Sequence, residues 1–127
     1  MEATTKFDVI IIGGSYSGLA AGMALGRALK SVLIIDSGKP CNIQTPHSHN
    51  FLTQDGSAPS VIAALAKQQV QKYKTVAFTA DMATDARQIV DGFTITTASG
   101  LTYEGSKIVF ATGIRDIMPD IVGFADC

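Results

Sequence analysis

The residues best suited to chemistry stand in one short stretch, Gly13-Gly14-Ser15-Tyr16-Ser17-Gly18, between an apolar run and a segment of helical period. A pyrophosphate asks for such a place. Successive backbone N–H groups and the positive end of a helix can face the anion, and the first glycine permits the tight turn. The usual spacing is G-x-G-x-x-G. Here Gly13 and Gly18 keep the outer positions, while Ser15 replaces the middle glycine and brings a hydroxyl that can donate to phosphate. The same cluster also suits a turn that does no more than pack a helix on a strand. Asp36 follows at the end of a second apolar run. A carboxylate there can accept hydrogen bonds from both ribose hydroxyls of an adenosine, and it repels a 2′-phosphate. NADP is therefore disfavoured at this position, which leaves NAD or FAD; a strand-end turn ahead of Ser37-Gly38 is the plainer reading of the same acid.

Cys41, His47 and His49 form the other reactive group in the sequence. Histidine and thiolate are zinc-type donors, but a fourth ligand is missing nearby, so no metal site is expected. Either histidine could move a proton near neutral pH. The chain has two cysteines, Cys41 and Cys127, and no C-x-x-C pair, so it is neither a disulfide framework nor a dithiol redox centre, and a cytoplasmic setting is expected.

The elements that must position these groups follow from changes of period. Residues 7–12 are apolar and β-branched apart from Asp8, as in a strand buried on both faces of a parallel sheet. Residues 17–30 read as a helix with a small face of Ala20, Ala21, Gly22, Ala24, Gly26 and Ala28, able to lie close on that sheet. Residues 32–35 form a second buried strand, completing a βαβ unit. The polar stretch 41–56 has no period and is read as a covering or functional loop. A second helix is expected with Ser57 as its N-cap, Pro59 in its first turn, and Ile62, Ala66, Val70 and Tyr73 along one face. Residues 75–79 should make a third parallel strand. The turn dipeptides Asp91-Gly92 and Ser99-Gly100 then divide a small antiparallel meander, and residues 107–111 return as the fourth strand of the main sheet, ending in Thr112-Gly113. The tail 114–127 reads as an extended surface segment. The fold class is therefore α/β and Rossmann-like, with a parallel sheet in the order 3-2-1-4, helices on it, and the meander as crossover.

The chain has 127 residues, of which 46% are hydrophobic, and a formal charge of −1, so it is read as one folded domain. Its mean hydropathy is +0.26. A near-neutral surface with 17% charged residues suits neither nucleic acid nor anionic lipid, and neither a signal peptide nor a membrane segment is expected.

Three motifs in order (the D-V-I-I-I-G-G strand and turn, the acid Asp36, and a later strand ending Ala111-Thr112-Gly113 after a meander) resemble the FAD-binding domain of thioredoxin-reductase-like flavoproteins, in the pyridine nucleotide–disulfide oxidoreductase superfamily. The resemblance runs over essentially the whole chain. It implies that Gly13, Gly14, Ser15, Ser17 and Gly18 hold the FAD pyrophosphate and Asp36 the adenosine ribose. It also implies that Ala111, Thr112 and Gly113 pass close to the cofactor. Ser37, Lys39, Pro40, Cys41, His49 and Met82 are placed with them; the Gly-Lys-Pro-Cys-Asn and His-x-His-Asn-Phe-Leu stretches should line the flavin side and depart from thioredoxin reductase itself. The family moves hydride from NAD(P)H to FAD and electrons on to a disulfide, or runs the reverse as a dithiol oxidase. Its C-x-x-C and nicotinamide site lie beyond the Ala-Thr-Gly strand. These residues are therefore expected to be the N-terminal part of an FAD-binding domain, with no second domain and no catalytic residue of their own, and alone to bind FAD weakly or not at all and not to turn over. Two alternatives are an NAD-binding Rossmann domain, and a short non-catalytic nucleotide-binding module that self-associates through an uncovered sheet edge or apolar face, giving a homo-oligomer.

Overall fold

The computed structural model describes residues 6–38, 47 and 49–113. Lys39, Pro40, Cys41 and the tail 114–127 lie outside the described residues.

The Val-Ile-Ile-Ile run forms β1 (Lys6–Ile12), whose side chains alternate between two cores. Val9 and Ile11 face a cluster with Leu19, Val32, Ile34, Val70 and Val76. Ile10 joins Leu33, Ile35 and Ile95 in the other. Burial on both faces is what an uninterrupted apolar strand requires. The helix α1 (Tyr16–Arg27) buries Gly18, Leu19, Gly22 and Gly26, the small face expected of it. It stops at Arg27 rather than at residue 30. Leu29 turns left-handed at φ 61°, Lys30 N–H bonds the Leu25 carbonyl at 3.0 Å, and Leu29 N–H bonds that of Gly26 at 3.0 Å. That pair of bonds is a Schellman cap, which ends the helix although the residue pattern would continue it.

β2 (Val32–Asp36) is buried along its apolar part, and its last residue is the acid itself. α2 (Pro59–Val70) begins one residue later than expected: Ala58, with ψ 139°, is the N-cap, and Ser57 precedes it. Proline favours the first helical position and confines the residue before it to extended backbone, so the cap must be Ala58 whatever its side chain. The helix also ends short of Tyr73, which closes a turn on the Val70 carbonyl and still packs on the first core.

β3 (Val76–Ala80) pairs in parallel with β2, which pairs with β1. The meander expected as the crossover is hydrogen-bonded into the main sheet itself. β4 (Ala83–Ile89), β5 (Gly92–Thr97) and β6 (Thr102–Phe110) continue the same sheet, in the order β3-β2-β1-β6-β5-β4. The expected 3-2-1-4 is the parallel half of that order, its fourth member being β6. This strand starts at Thr102, not 107, because it has two partners: residues 102–105 pair antiparallel with β5, while 104–110 pair in parallel with β1. The fully buried Ile95 on β5 shares a core with Ile10, Leu33 and Ile35, so the meander covers the sheet face opposite the helices. Among the described residues no helix is long and apolar enough to cross a membrane.

Candidate functional site

The carboxyl ends of the parallel strands meet at one edge. Gly13 N–H bonds the Ile35 carbonyl at 2.8 Å, Ala111 N–H bonds that of Ile12 at 2.8 Å, and Asp81 N–H bonds that of Asp36 at 3.0 Å. From β1 the chain leaves to β2 on one side, while β6 lies on the other. Such a switch of direction opens a crevice beyond the strand ends, where open α/β sheets bind ligands.

A cleft of about 480 Å³ lies there, lined by the 12–17 turn, Ile35, Asp36, Ser37, Met82, Ala83 and residues 111–113. Its floor is the glycine turn. Gly13 has φ 114°, and a Cβ there would run into the Ala111 carbonyl, so the turn and the Ala-Thr-Gly strand end touch backbone to backbone. Gly14 plays a different part. A Cβ on it would come within 2.7 Å of Asp36 Cγ and 2.8 Å of Oδ2, so the missing side chain is what lets the carboxylate lie against the turn.

Ser15 is the N-cap of α1, at φ −87° and ψ −159°, yet its hydroxyl makes no capping bond and no acid stands in the first turn. The first N–H groups of any helix lack intrahelical partners and carry its positive end. With neither satisfied by a cap, the chemistry of this helix start suits an anion. Asp36 supplies the opposite charge next door. Its Oδ1 accepts the Gly38 N–H at 3.1 Å, fixing the carboxylate, while Oδ2 lies beside Gly14. Past Asp36 and Ser37 a smaller recess of about 250 Å³ continues along Gly38, Phe78, Thr79, Ala80 and Lys67, with Lys67 Nζ 5.4 Å from the centre of the Phe78 ring. Positive turn, carboxylate and part-apolar recess thus run in series.

The far wall is held by Asp81. Its carboxylate accepts from the Ser99 hydroxyl at 2.5 Å and from the N–H groups of Met82 at 2.8 Å and Ser99 at 3.4 Å. Hydrogen bonds from Ser99 above all, then from Thr97 and the backbone, hold its pKa below the usual carboxylate value. Ala98 N–H closes on the Met82 carbonyl at 2.8 Å. The β5–β6 turn is therefore clamped to the start of β4, which sets Met82 at the cleft.

Of the residues singled out from sequence, Gly13, Gly14, Ser15, Ser17, Asp36, Ser37, Met82, Ala111, Thr112 and Gly113 come together around this cleft. Gly18 is buried behind it in the first turn of α1. His49 does not line it: exposed, it faces Asp55 at 3.6 Å, while His47 Nδ1 is 2.8 Å from the Gly56 carbonyl. Sequence reasoning passed over Tyr16, Ile12, Ile35 and Ala83 as lining residues. Tyr16 had a signal, since it lies inside the glycine motif; Ala83 had none, being brought in by the meander. Among the described residues no group of three His, Cys, Asp or Glu could hold a metal.

A parallel sheet with a glycine turn at its switch point and an acid ending the second strand defines a Rossmann-like dinucleotide-binding fold. More particularly, the chain belongs to the pyridine nucleotide-disulphide oxidoreductase family, whose pattern matches residues 7–127. It is 36% identical to thioredoxin reductase aclD of Aspergillus oryzae over 98% of this chain and 40% of that protein. It is 35% identical to a probable thioredoxin reductase of Arthroderma benhamiae over 95% of this chain and 31% of that protein. An oxidoreductase from Agrobacterium tumefaciens superposes with a TM-score of 0.89 at 41% identity, covering 96% of this chain and 41% of the other. The chain therefore spans less than half the length of these relatives.

Proposed function

We propose that these residues form the adenosine-diphosphate half of an FAD site in a thioredoxin-reductase-like oxidoreductase. The observation that supports this is the close approach of the Asp36 carboxylate to Gly14, directly beside an uncapped helix N-terminus. The residues present fit the group. The N–H groups of the 13–17 turn would hold the pyrophosphate, with the free Ser15 hydroxyl as a further donor. Asp36 would take the ribose hydroxyls, and the recess between Lys67 and Phe78 has room for a base. Ala111, Thr112 and Gly113 would close the opposite side.

Bound FAD supplies two-electron chemistry, accepting hydride from a reduced nicotinamide and passing electrons to a disulfide, or the reverse from a dithiol. This chain's part is to bind and orient. Its cysteines, Cys41 and Cys127, are too far apart in sequence to form a C-x-x-C pair, so a disulfide partner would be served by residues outside this sequence, and we expect no turnover from these residues alone.

Calorimetric titration tests the reading. ADP and FAD should bind weakly but saturably at one shared site, FAD more tightly than NAD, and FMN should not compete. The compound 2′,5′-ADP should bind at least ~10-fold more weakly than ADP because its extra phosphate meets the Asp36 carboxylate. Binding of FMN without ADP, or a preference for 2′,5′-ADP, would overturn it.

A further inference from the structure

Tyr16 opens α1 and is committed in two directions. Its backbone belongs to the uncapped first turn and it lines the cleft. Its hydroxyl donates to the Pro59 carbonyl at 3.2 Å, at the start of α2. Among the described residues this is the one hydrogen bond that ties residues 47 and 49–59 to any element other than α2. The others are internal or run on into α2, where the Ala58 carbonyl accepts from the N–H groups of Val61 at 3.0 Å and Ile62 at 3.2 Å. His47 Nδ1 bonds the Gly56 carbonyl, Asn50 N–H the Asp55 carboxylate, Gln54 N–H the Phe51 carbonyl and Ser57 N–H the Gln54 carbonyl.

The segment keeps its own shape at some cost. Asn50 and the β-branched Thr53 sit at φ 61° and 73°, and Phe51 and Leu52 are 53% and 90% exposed. Few buried contacts and outward apolar side chains leave it cheap to open locally. Its position therefore depends on Pro59, which is buried, and on the hydroxyl that reaches Pro59.

We infer that the Tyr16 hydroxyl is a latch: it pins the start of α2 and the 49–59 segment to the first turn of α1, and so holds that turn's N–H groups in place before an anion arrives. Ser15 makes no capping bond, so the first turn has no side-chain brace of its own and is braced by the neighbouring helix instead. With the latch open, the competent arrangement of the turn is only partly populated, and affinity falls by that fraction. Tyr16 is a positioning residue, acting through Pro59. The inference rests on the reading of the cleft as a dinucleotide site.

The test is Tyr16→Phe in the full chain, which keeps the ring and removes one hydrogen bond. ADP affinity should fall about three- to tenfold, the scale of one net hydrogen bond. Amide hydrogen exchange at residues 50–58 should quicken in the ligand-free protein, with little change in melting temperature. Unchanged exchange at 50–58 overturns the latch, as does a lowered melting temperature with ADP affinity intact, which would make the bond purely structural. If the unsubstituted chain fails to bind ADP, the reading of the cleft fails, and the exchange comparison still decides the latch.

Discussion

Replacing Gly14 by alanine isolates the contact on which the site is built. Gly14 is not among the glycines with left-handed φ, so alanine's backbone is tolerated and the penalty is steric alone. The new methyl would lie 2.7 Å from Asp36 Cβ, 2.7 Å from Cγ and 2.8 Å from Oδ2, closer than packed atoms allow. Overpacking of this kind costs about 1–3 kcal/mol if nothing yields. The Asp36 side chain is half-buried at a strand end, so it is the part that moves. A carboxylate turned away from the cleft would forfeit the ribose hydrogen bonds proposed for it, roughly 1.5–3 kcal/mol for a charged acceptor, or about 10- to 100-fold in affinity for ADP. Stability should fall by less than affinity. A double-mutant cycle by calorimetry decides the route. Asp36→Gly removes all three clashing atoms, so adding Gly14→Ala to it should change ADP affinity by less than about twofold. An equal penalty in both backgrounds would refute the argument that Gly14 matters through Asp36.

Gly13→Ala should be far more damaging, because both φ 114° and the Ala111 carbonyl forbid a side chain; circular dichroism and urea melts should reveal a loss of about 3 kcal/mol or more, or failure to fold. Ile95→Ala should cost about 2–5 kcal/mol in urea unfolding if the meander covers the second sheet face, and under about 1 kcal/mol if it does not. Asp81 has a folded pKa lowered below its ordinary value of 3.8, so its contribution is complete above that value and is lost as pH falls through the lower folded one. The gap in urea midpoint between the parent chain and Asp81→Asn should therefore be open at pH 7 and should close in the acid region below 3.8; a gap that does not change with pH would remove Asp81 as a charged clamp.

Local signals were readable in the sequence; shared duties were not. The βαβ unit from β1 to Asp36 stands out because a doubly buried strand, a glycine turn and a small-faced helix each leave a strong pattern within a few residues. The Schellman cap at Leu29 left no trace, since leucine is a rare occupant of a left-handed position and hides the helix end. The dual role of β6 was equally hidden: Thr102 to Gly105 alternate as an antiparallel strand would, and nothing in them reveals that Glu104 and Gly105 also pair with Lys6 and Phe7. At the site, the turn, Asp36 and the Ala-Thr-Gly end could be read from residue type and spacing. The Asp81 clamp could not, because it depends on Ser99 reaching back across the meander to a residue distant in sequence.

The central claim, that the cleft between the 13–17 turn and Asp36 takes an adenosine diphosphate group, is tested most directly by titrating ADP into the isotope-labelled chain and following amide shifts by NMR. Saturable shifts centred on Gly13 to Gly18, Asp36 to Gly38 and Ala111 to Gly113, saturating only at about 10- to 100-fold higher ADP in Asp36→Gly, are the predicted result. Shifts centred elsewhere, or none up to millimolar ADP in a folded sample, would contradict it.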